Sequence, residues 1–188
     1  VSELTAAGVL VVAAAGNSTG PVEEPGNCPG VLAVAGVRHE GNKVGYSSYG
    51  IEVGIRAPAG NCVNETGPCL FPMYTTTNDG QYAPRNDVYT GQSEEITVGT
   101  SFAAPLAAGV AGLMWSVQPA LTPAQLIRRM QGSARAFVND SSLPRCPAVV
   151  PGGTQEGQCS CTTSTCGAGL LQAGAAVNEA LRPIAGFS

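Results

Sequence analysis

A single serine stands at the start of a long apolar segment, a setting that favours nucleophilic chemistry. Residues 99–105 read Gly-Thr-Ser-Phe-Ala-Ala-Pro, and the apolar segment continues to Val117. Pro105 is tolerated in a first helical turn, and a helix N-terminus would present unpaired N–H groups and a positive dipole end to Ser101. Taken alone, a Thr-Ser pair is also typical of an ordinary helix cap, so the rest of the chain must decide.

Asn17 is the second residue whose position could serve chemistry. It follows residues 9–15, a continuous apolar run of the kind found in strands buried on both faces of a parallel sheet. Loops at the carboxyl ends of such strands carry ligands in open α/β sheets. The side-chain amide would donate a neutral hydrogen bond that does not titrate. A plain Asn turn after a strand is the alternative.

The elements that must position these residues alternate between helix and strand along one domain, which indicates an α/β fold with a parallel sheet. Further strands are predicted at residues 31–37, 44–48 and 51–57, and helices at 101–117, 122–132 and 171–181. The helix at 101–117 is apolar almost all round and is expected to be buried. In the helix at 122–132, Leu126, Ile127 and Met130 are expected to face inward, and Arg128 and Arg129 outward. Residues 60–98 and 139–166 are predicted as long loops.

Composition excludes several classes of partner. The chain has 188 residues, 44% of them hydrophobic and 12% charged, with a net charge of -4. There is no basic patch, which argues against nucleic acid, and no polybasic membrane anchor. The longest uninterrupted apolar run, residues 9–15, is too short to cross a bilayer, so no membrane partner is expected.

Seven cysteines among many Gly and Pro residues predict disulfide bonds and an oxidising, extracellular compartment. The odd count leaves one cysteine unpaired within the chain. The spacing of Cys159, Cys161 and Cys166 would also allow a metal site to be considered. No histidine lies nearby, however, and the spacing does not fit a zinc site, so disulfides are favoured.

Taken together, these residues resemble the subtilisin-like serine protease (subtilase) family, in the C-terminal part of its catalytic domain. The resemblance runs from Leu4 to Val177 and rests on four segments in order: residues 13–17 (Ala-Ala-Ala-Gly-Asn), the strands from 29 to 58, residues 99–105, and Gly-Ala-Gly at 167–169. The Gly-x-Ser-x-Gly elbow of α/β-hydrolases is absent. The family implies a three-layer fold in which all 188 residues form one portion of one catalytic domain, with 60–98 inserted and 139–166 as a Cys-rich addition.

The resemblance implies a secreted endopeptidase that forms an acyl-enzyme on Ser101, with Asn17 and the Ser101 backbone N–H donating to the oxyanion. The family carries its catalytic histidine and aspartate in an N-terminal half that this sequence lacks. Because residue 1 opens inside an apparent helix, we expect an upstream segment to have been removed. His39, the only histidine, lies in a charged turn where the family has no catalytic residue. The alternative is that the isolated chain is an inactive fragment or an interaction module.

The resemblance also implies a substrate pocket. Ala14, Ala15 and Gly16 are expected to line the pocket for the residue before the cleaved bond, with Thr100 also binding substrate. Glu23 is expected to favour a basic or polar residue there, unless it belongs to a solvated acidic loop. The Glu24-Pro25 bond corresponds to a position that is often cis.

The sequence says less about cofactors and disulfide pairing than about the reacting residues. The resemblance requires no cofactor and leaves structural calcium open, but Gly54 stands where some members carry aspartate, so no metal ligand is assigned. Cys28 with Cys62, and Cys161 with Cys166, are the pairings that we expect, although connectivity is not fixed by sequence.

Overall fold

The computed structural model describes residues 1–62, 70–90, 97–150 and 157–183. Its centre is a parallel sheet of three strands, β1 (Val11–Ala14), β2 (Val31–Val37) and β3 (Val53–Pro58), in the order β1-β2-β3. The short helix α1 (Ser2–Ala6) precedes β1. The predicted α/β class is thereby confirmed, and the carboxyl ends of all three strands lie at one edge of the sheet.

The middle strand β2 is buried on both faces, as its uninterrupted apolar sequence predicts. Its side chains alternate between two cores. Leu32 and Val34 pack with the helices, whereas Ala33 and Ala35 contact a smaller cluster on the opposite face. The small side chains of that second cluster bring the loop after β1 close to the sheet.

Two helices, α2 (Thr100–Val117) and α3 (Pro123–Gly132), pack on the sheet, and a third, α5 (Ala173–Ala180), packs against both of them. The helix α2 contacts all three strands and α5. The helix α3 begins with a capping box, since Thr122 Oγ1 accepts from Gln125 N–H (3.3 Å) while Thr122 N–H donates to Gln125 Oε1 (2.9 Å).

The expectation that α2 is buried all round is wrong. Leu106 is 40% exposed, Leu113 is 54% exposed and Val117 is 39% exposed, and they form an apolar face turned away from the sheet. An apolar composition indicates that a helix could be buried on every side. Whether each side is buried depends on the neighbouring elements that cover it. By length and composition α2 would also qualify as a membrane span, but its contacts with the sheet mark it as the central helix of the domain.

Residues 44–48 do not form the predicted strand. Their backbone turns at Val44, whose carbonyl accepts from Ser47 N–H (3.1 Å), and Ser48 N–H donates to Gly16 O (2.9 Å). The segment therefore holds the loop after β1 instead of joining the sheet. Part of the loop predicted at 60–98 forms a two-stranded antiparallel hairpin, β4 (Thr76–Asn78) and β5 (Asp87–Tyr89). A short helix in the Cys-rich segment, α4 (Thr163–Cys166), was also not predicted.

Arg129 of α3 is not simply outward-facing. Its guanidinium donates to the carbonyl oxygens of Glu179 (2.9 Å), Ala180 (3.0 Å), Arg182 (2.7 Å) and Pro183 (3.0 Å), at the C-terminal end of α5. The last carbonyls of a helix have no intrahelical partners. Glu179 O also accepts from Arg182 N–H (3.3 Å), and Arg129 supplies donors to the carbonyls that follow it. Arg128 is exposed, as predicted.

Disulfides account for most of the described cysteines. Cys146–Cys159 and the predicted Cys161–Cys166 are both present, so the cysteines considered above for a metal site are held in two disulfides. The predicted Cys28–Cys62 bridge is wrong. Cys28 is a free thiol, while Cys62 is disulfide-bonded. Spacing alone cannot determine which loops approach each other. Cys69 and residues 91–96 and 151–156 of the predicted loops lie outside the described residues.

Candidate active site

Ser101 lies in the first turn of α2 and is exposed to solvent. The turn before it is anchored to the end of β3, because Gly99 N–H donates to Ala59 O (2.8 Å). Phe102 N–H donates back to Gly99 O (3.0 Å), which closes the first turn. The positive dipole end of an 18-residue helix therefore faces the Ser101 region.

The side-chain amide of Asn17 is held beside this turn in one orientation. Its Oδ1 accepts from the Thr100 backbone N–H (2.9 Å) and lies 3.0 Å from the Thr100 hydroxyl. Thr100 is fully buried, whereas Asn17 is exposed, so the two contacts are partly buried. With Oδ1 occupied, the Nδ2 donors form the open end of the amide, and Nδ2 has no hydrogen-bond partner among the described residues. An oxyanion site needs such a preorganised donor.

A cleft of about 350 Å³ lies next to these groups. Its lining includes most of the residues predicted to bind substrate or react: Ala14, Gly16, Asn17, Glu23, Thr100 and Ser101. Ala15 is the exception, because its side chain is fully buried in the small core behind the sheet. Successive side chains of an extended segment point to opposite faces, so Ala14 and Ala15 cannot both face the cleft. The backbone of Ala15 still holds Glu23 in place, because the Ala15 carbonyl oxygen accepts from Glu23 N–H (2.9 Å).

Glu23 folds over the backbone of Gly16 inside the cleft. A Cβ atom at Gly16 would lie 2.6 Å from Glu23 Oε1, and Gly16 has φ +108°, so only glycine fits there. Ser18 Oγ donates to Glu23 Oε1 (2.5 Å) and lies 3.3 Å from Ser48 Oγ. Sequence reasoning missed Ser18, although its position directly after Asn17 was a usable signal.

The rim of the cleft next to Glu23 is shaped by the Glu24-Pro25 peptide bond, which is cis as predicted. Glu24 and Pro25 both line the cleft.

Tyr46 supports the site from behind and was not identified as a site residue from the sequence. Its hydroxyl lies 2.6 Å from Ala59 O and 2.8 Å from Gly60 O, at the end of β3. Burial raises the pKa of this phenol well above its ordinary value, so it stays protonated and able to donate. Since Ala59 O also accepts from Gly99 N–H, Tyr46 helps to fix the strand end on which the Ser101 turn is anchored.

His39 lies apart from the Ser101 cleft. Its ring stacks on Phe71, with ring centroids 3.7 Å apart and an interplanar angle of 15°, in a different pocket of the molecule. No histidine is among the residues that line the cleft.

Two buried cations were also missed. Lys43 and Arg56 are both fully buried. Lys43 Nζ donates to Gly157 O (2.7 Å) and Gly45 O (3.0 Å). These bonds connect the Cys-rich segment to the loop that follows β2. Burial, with the Arg56 charge as a smaller cause, lowers the pKa of Lys43 from 10.5 to about 7. Burial also lowers the pKa of Arg56, whose guanidinium donates to Cys166 O (3.1 Å) and Gly36 O (3.0 Å).

The parallel sheet, the serine in the first turn of the covering helix and the amide donor beside it form an arrangement suited to nucleophilic chemistry. Comparison with known proteins assigns the chain to a family. The sequence profile of the subtilase family matches residues 1–169, and the chain belongs to this family.

Individual relatives agree with this assignment. The chain is 33% identical, over 93% of its length, to an extracellular protease of Xanthomonas campestris pv. campestris, and spans 24% of that protein. It is 32% identical to subtilisin E of Bacillus subtilis over 74% of its own length and 32% of that relative. A solved structure of proteases from Pseudoalteromonas arctica PAMC 21717 has a TM-score of 0.74 at 32% identity, covering 95% of this chain and 45% of that one. The chain thus spans less than half of each relative.

Proposed function

We propose that this chain carries the nucleophile and oxyanion donors of a serine endopeptidase that cleaves protein or peptide substrates through an acyl-enzyme on Ser101. The observation that carries the proposal is the Asn17 amide, whose oxygen is held by Thr100 so that its nitrogen is free beside the Ser101 turn. In the reaction, Ser101 Oγ attacks the substrate carbonyl carbon, and its proton passes to a general base. The Asn17 Nδ2 and the Ser101 backbone N–H stabilise the charge on the carbonyl oxygen.

The general base and its orienting carboxylate belong, in this proposal, to an N-terminal half of the same catalytic domain. Two features of the described residues support such a partner. The outer edge of β1 pairs with no described strand, and α2 exposes the apolar face of Leu106, Leu113 and Val117. An unpaired strand edge next to exposed apolar surface favours association. A monodisperse chain that melts cooperatively without that half would contradict this part of the proposal.

Substrate preference is assigned to Glu23. Its carboxylate lines the cleft, and Oε2 has no hydrogen-bond partner among the described residues, whereas Oε1 accepts from Ser18. An anionic acceptor in the pocket would favour a basic or polar residue before the scissile bond.

The preference can be tested with peptide substrates that end in Arg or Phe at the cleaved bond. Glu23→Gln should lower kcat/KM for the Arg substrate and leave the Phe substrate nearly unchanged, while Glu24→Gln, which alters a neighbouring carboxylate of the same cleft, serves as the matched control. Equal responses of both substrates to Glu23→Gln would leave Glu23 as part of a solvated acidic loop.

Secretion is proposed on two grounds. Disulfides persist in oxidising compartments, and the chain contains Cys146–Cys159 and Cys161–Cys166. The Xanthomonas relative is named an extracellular protease. No cofactor is proposed for the acyl transfer, and no calcium ligand is assigned.

The second candidate function is an inactive fragment or interaction module, favoured by the absence of a histidine from the cleft lining. Intact mass after reaction with a fluorophosphonate probe separates the two, measured with and without the upstream half. Labelling of Ser101 only in the presence of that half supports the endopeptidase, and Ser101→Ala is the control for probe specificity. A lack of labelling in both samples would identify an inactive scaffold.

A further inference from the structure

A second pocket opens at the carboxyl end of β3 and shares no lining residue with the Ser101 cleft. Its volume is about 250 Å³, and its lining includes Val37, His39, Pro58, Asn61, Phe71 and Met73. Apart from His39 and Asn61, these side chains are apolar. An apolar pocket with a few converging polar groups is the usual form of a ligand site.

Asn61 lines this pocket and carries an unsatisfied amide donor. The residue is 5% exposed, and its Nδ2 is buried without a hydrogen-bond partner among the described residues. The backbone of Asn61 is fixed by its N–H donating to Phe71 O (2.8 Å). A buried amide donor with no acceptor is costly in a folded protein. An acceptor oxygen brought by a ligand would remove that cost.

His39 and Phe71 form an aromatic wall of the pocket. The rings stack with centroids 3.7 Å apart. The rim continues onto exposed apolar surface, since Leu70 is 61% exposed and Tyr74 is 68% exposed. Aromatic and large apolar side chains grouped at the surface mark contacts with other polypeptides, and such contacts often depend on one side chain that fills a pocket.

We propose that this pocket, which we name the Asn61 pocket, is an exosite for the polypeptide substrate. It takes one aromatic side chain, whose flanking backbone carbonyl accepts from Asn61 Nδ2. A volume of about 250 Å³ suits a single large side chain better than a cofactor.

The proposal rests on the endopeptidase function proposed above, because the contacts of the pocket lead to the Ser101 turn. Gly60 lines the pocket and is packed against Thr97 and Val98, and the adjacent Ala59 O accepts from Gly99 N–H. A substrate held here would lie next to the segment that carries the nucleophile. Tethering by a second contact raises the effective concentration of the bond to be cleaved.

His39 lines the pocket, so its ring signals in a proton–carbon NMR spectrum report directly on the pocket. The signals are assigned by their loss in His39→Gln. Titration of the complete enzyme carrying Ser101→Ala with N-acetyl-phenylalanine amide should shift them saturably, and N-acetyl-alanine amide should not. Asn61→Leu should weaken the binding at least several-fold, while Tyr82→Ala, which alters an exposed aromatic residue outside the pocket lining, should leave it unchanged.

Absence of a saturable shift, or equal shifts with both amides, would overturn the pocket as an aromatic site. An unchanged affinity in Asn61→Leu would overturn the role of the Asn61 donor.

The link to catalysis has a separate readout in the complete enzyme. Asn61→Leu should raise KM for a protein substrate with accessible aromatic residues and leave kcat/KM for a short chromogenic peptide unchanged. Parallel losses on both substrates would overturn the exosite role. Fluorophosphonate labelling of Ser101 tests the endopeptidase function independently, so failure of labelling with intact NMR binding would remove the catalytic role and retain the binding site.

Discussion

The orientation of the Asn17 amide by Thr100 leads to a quantitative prediction for Thr100→Val. Valine has nearly the shape of threonine, so the buried site should stay filled while the hydroxyl is lost. The hydroxyl lies 3.0 Å from Asn17 Oδ1, and it accepts from Gly16 N–H (3.3 Å). The Thr100 backbone N–H, at 2.9 Å from Oδ1, remains in the variant. Thr100→Val therefore removes one of two donors that orient the amide.

One such hydrogen bond contributes about 1 kcal/mol. Losing it should weaken the preference for the productive orientation of Nδ2 and lower kcat about fivefold. KM should stay nearly constant, because the oxyanion forms only in the transition state. Asn17→Ala removes the donor itself. The expected loss in kcat is about 10²- to 10³-fold, a size carried over from subtilisin, a member of the same family, and not worked out from this structure.

The assay is steady-state hydrolysis of a chromogenic peptide by the complete enzyme, with Thr100→Ser as the control that keeps the hydroxyl. Urea unfolding of the same variants identifies any loss of folded protein. A kcat for Thr100→Val equal to that of the unaltered enzyme, with Asn17→Ala strongly impaired, would refute the role of the Thr100 hydroxyl. Full activity of Asn17→Ala would refute the oxyanion assignment itself.

Three further predictions concern stability and thiol chemistry. Arg129→Met should lower the free energy of unfolding by about 1–3 kcal/mol, because the carbonyls at the end of α5 lose their donors, while Arg128→Met should leave it nearly unchanged in the same urea titration. Because Lys43 has a lower pKa folded (about 7) than unfolded (10.5), the folded state binds fewer protons between these values. The buried lysine therefore destabilises the fold most fully below about pH 7, where it is protonated in both states. Above that pH, the unfolding free energy relative to Lys43→Met should rise by up to about 1.4 kcal/mol per pH unit. A difference in unfolding free energy that does not change with pH would contradict this. Iodoacetamide under non-reducing conditions should modify Cys28, whereas recovery of a Cys28–Cys62 peptide by mass spectrometry would argue against the free thiol.

Several local elements could be predicted closely because their signals lie within a few residues. The continuous β-branched run of β2 matches the strand at Val31–Val37, and the Thr122 capping box marks the start of α3. Burial of α2 was overestimated, since apolar composition cannot say which neighbours cover a helix. Residues 44–48 carry strand-forming types, but their backbone hydrogen bonds are made to loop carbonyls. Tertiary contacts can override such local propensity.

Sequence by itself determined the class of fold, the placement of Ser101 in the first turn of a helix and of Asn17 after a strand, and through both of them the family. These features follow from local periodicity and from short motifs. Only the tertiary structure decided how the side chains of the candidate site are oriented and which residues lie beside them. Asn17 and Thr100 are 83 positions apart, and Thr100 fixes which end of the amide is free. The same packing buried Ala15 away from the cleft, placed His39 against Phe71 and left Asn61 Nδ2 without a partner among the described residues. Contacts between distant segments depend on how strands and helices pack, and no short stretch of sequence encodes that packing.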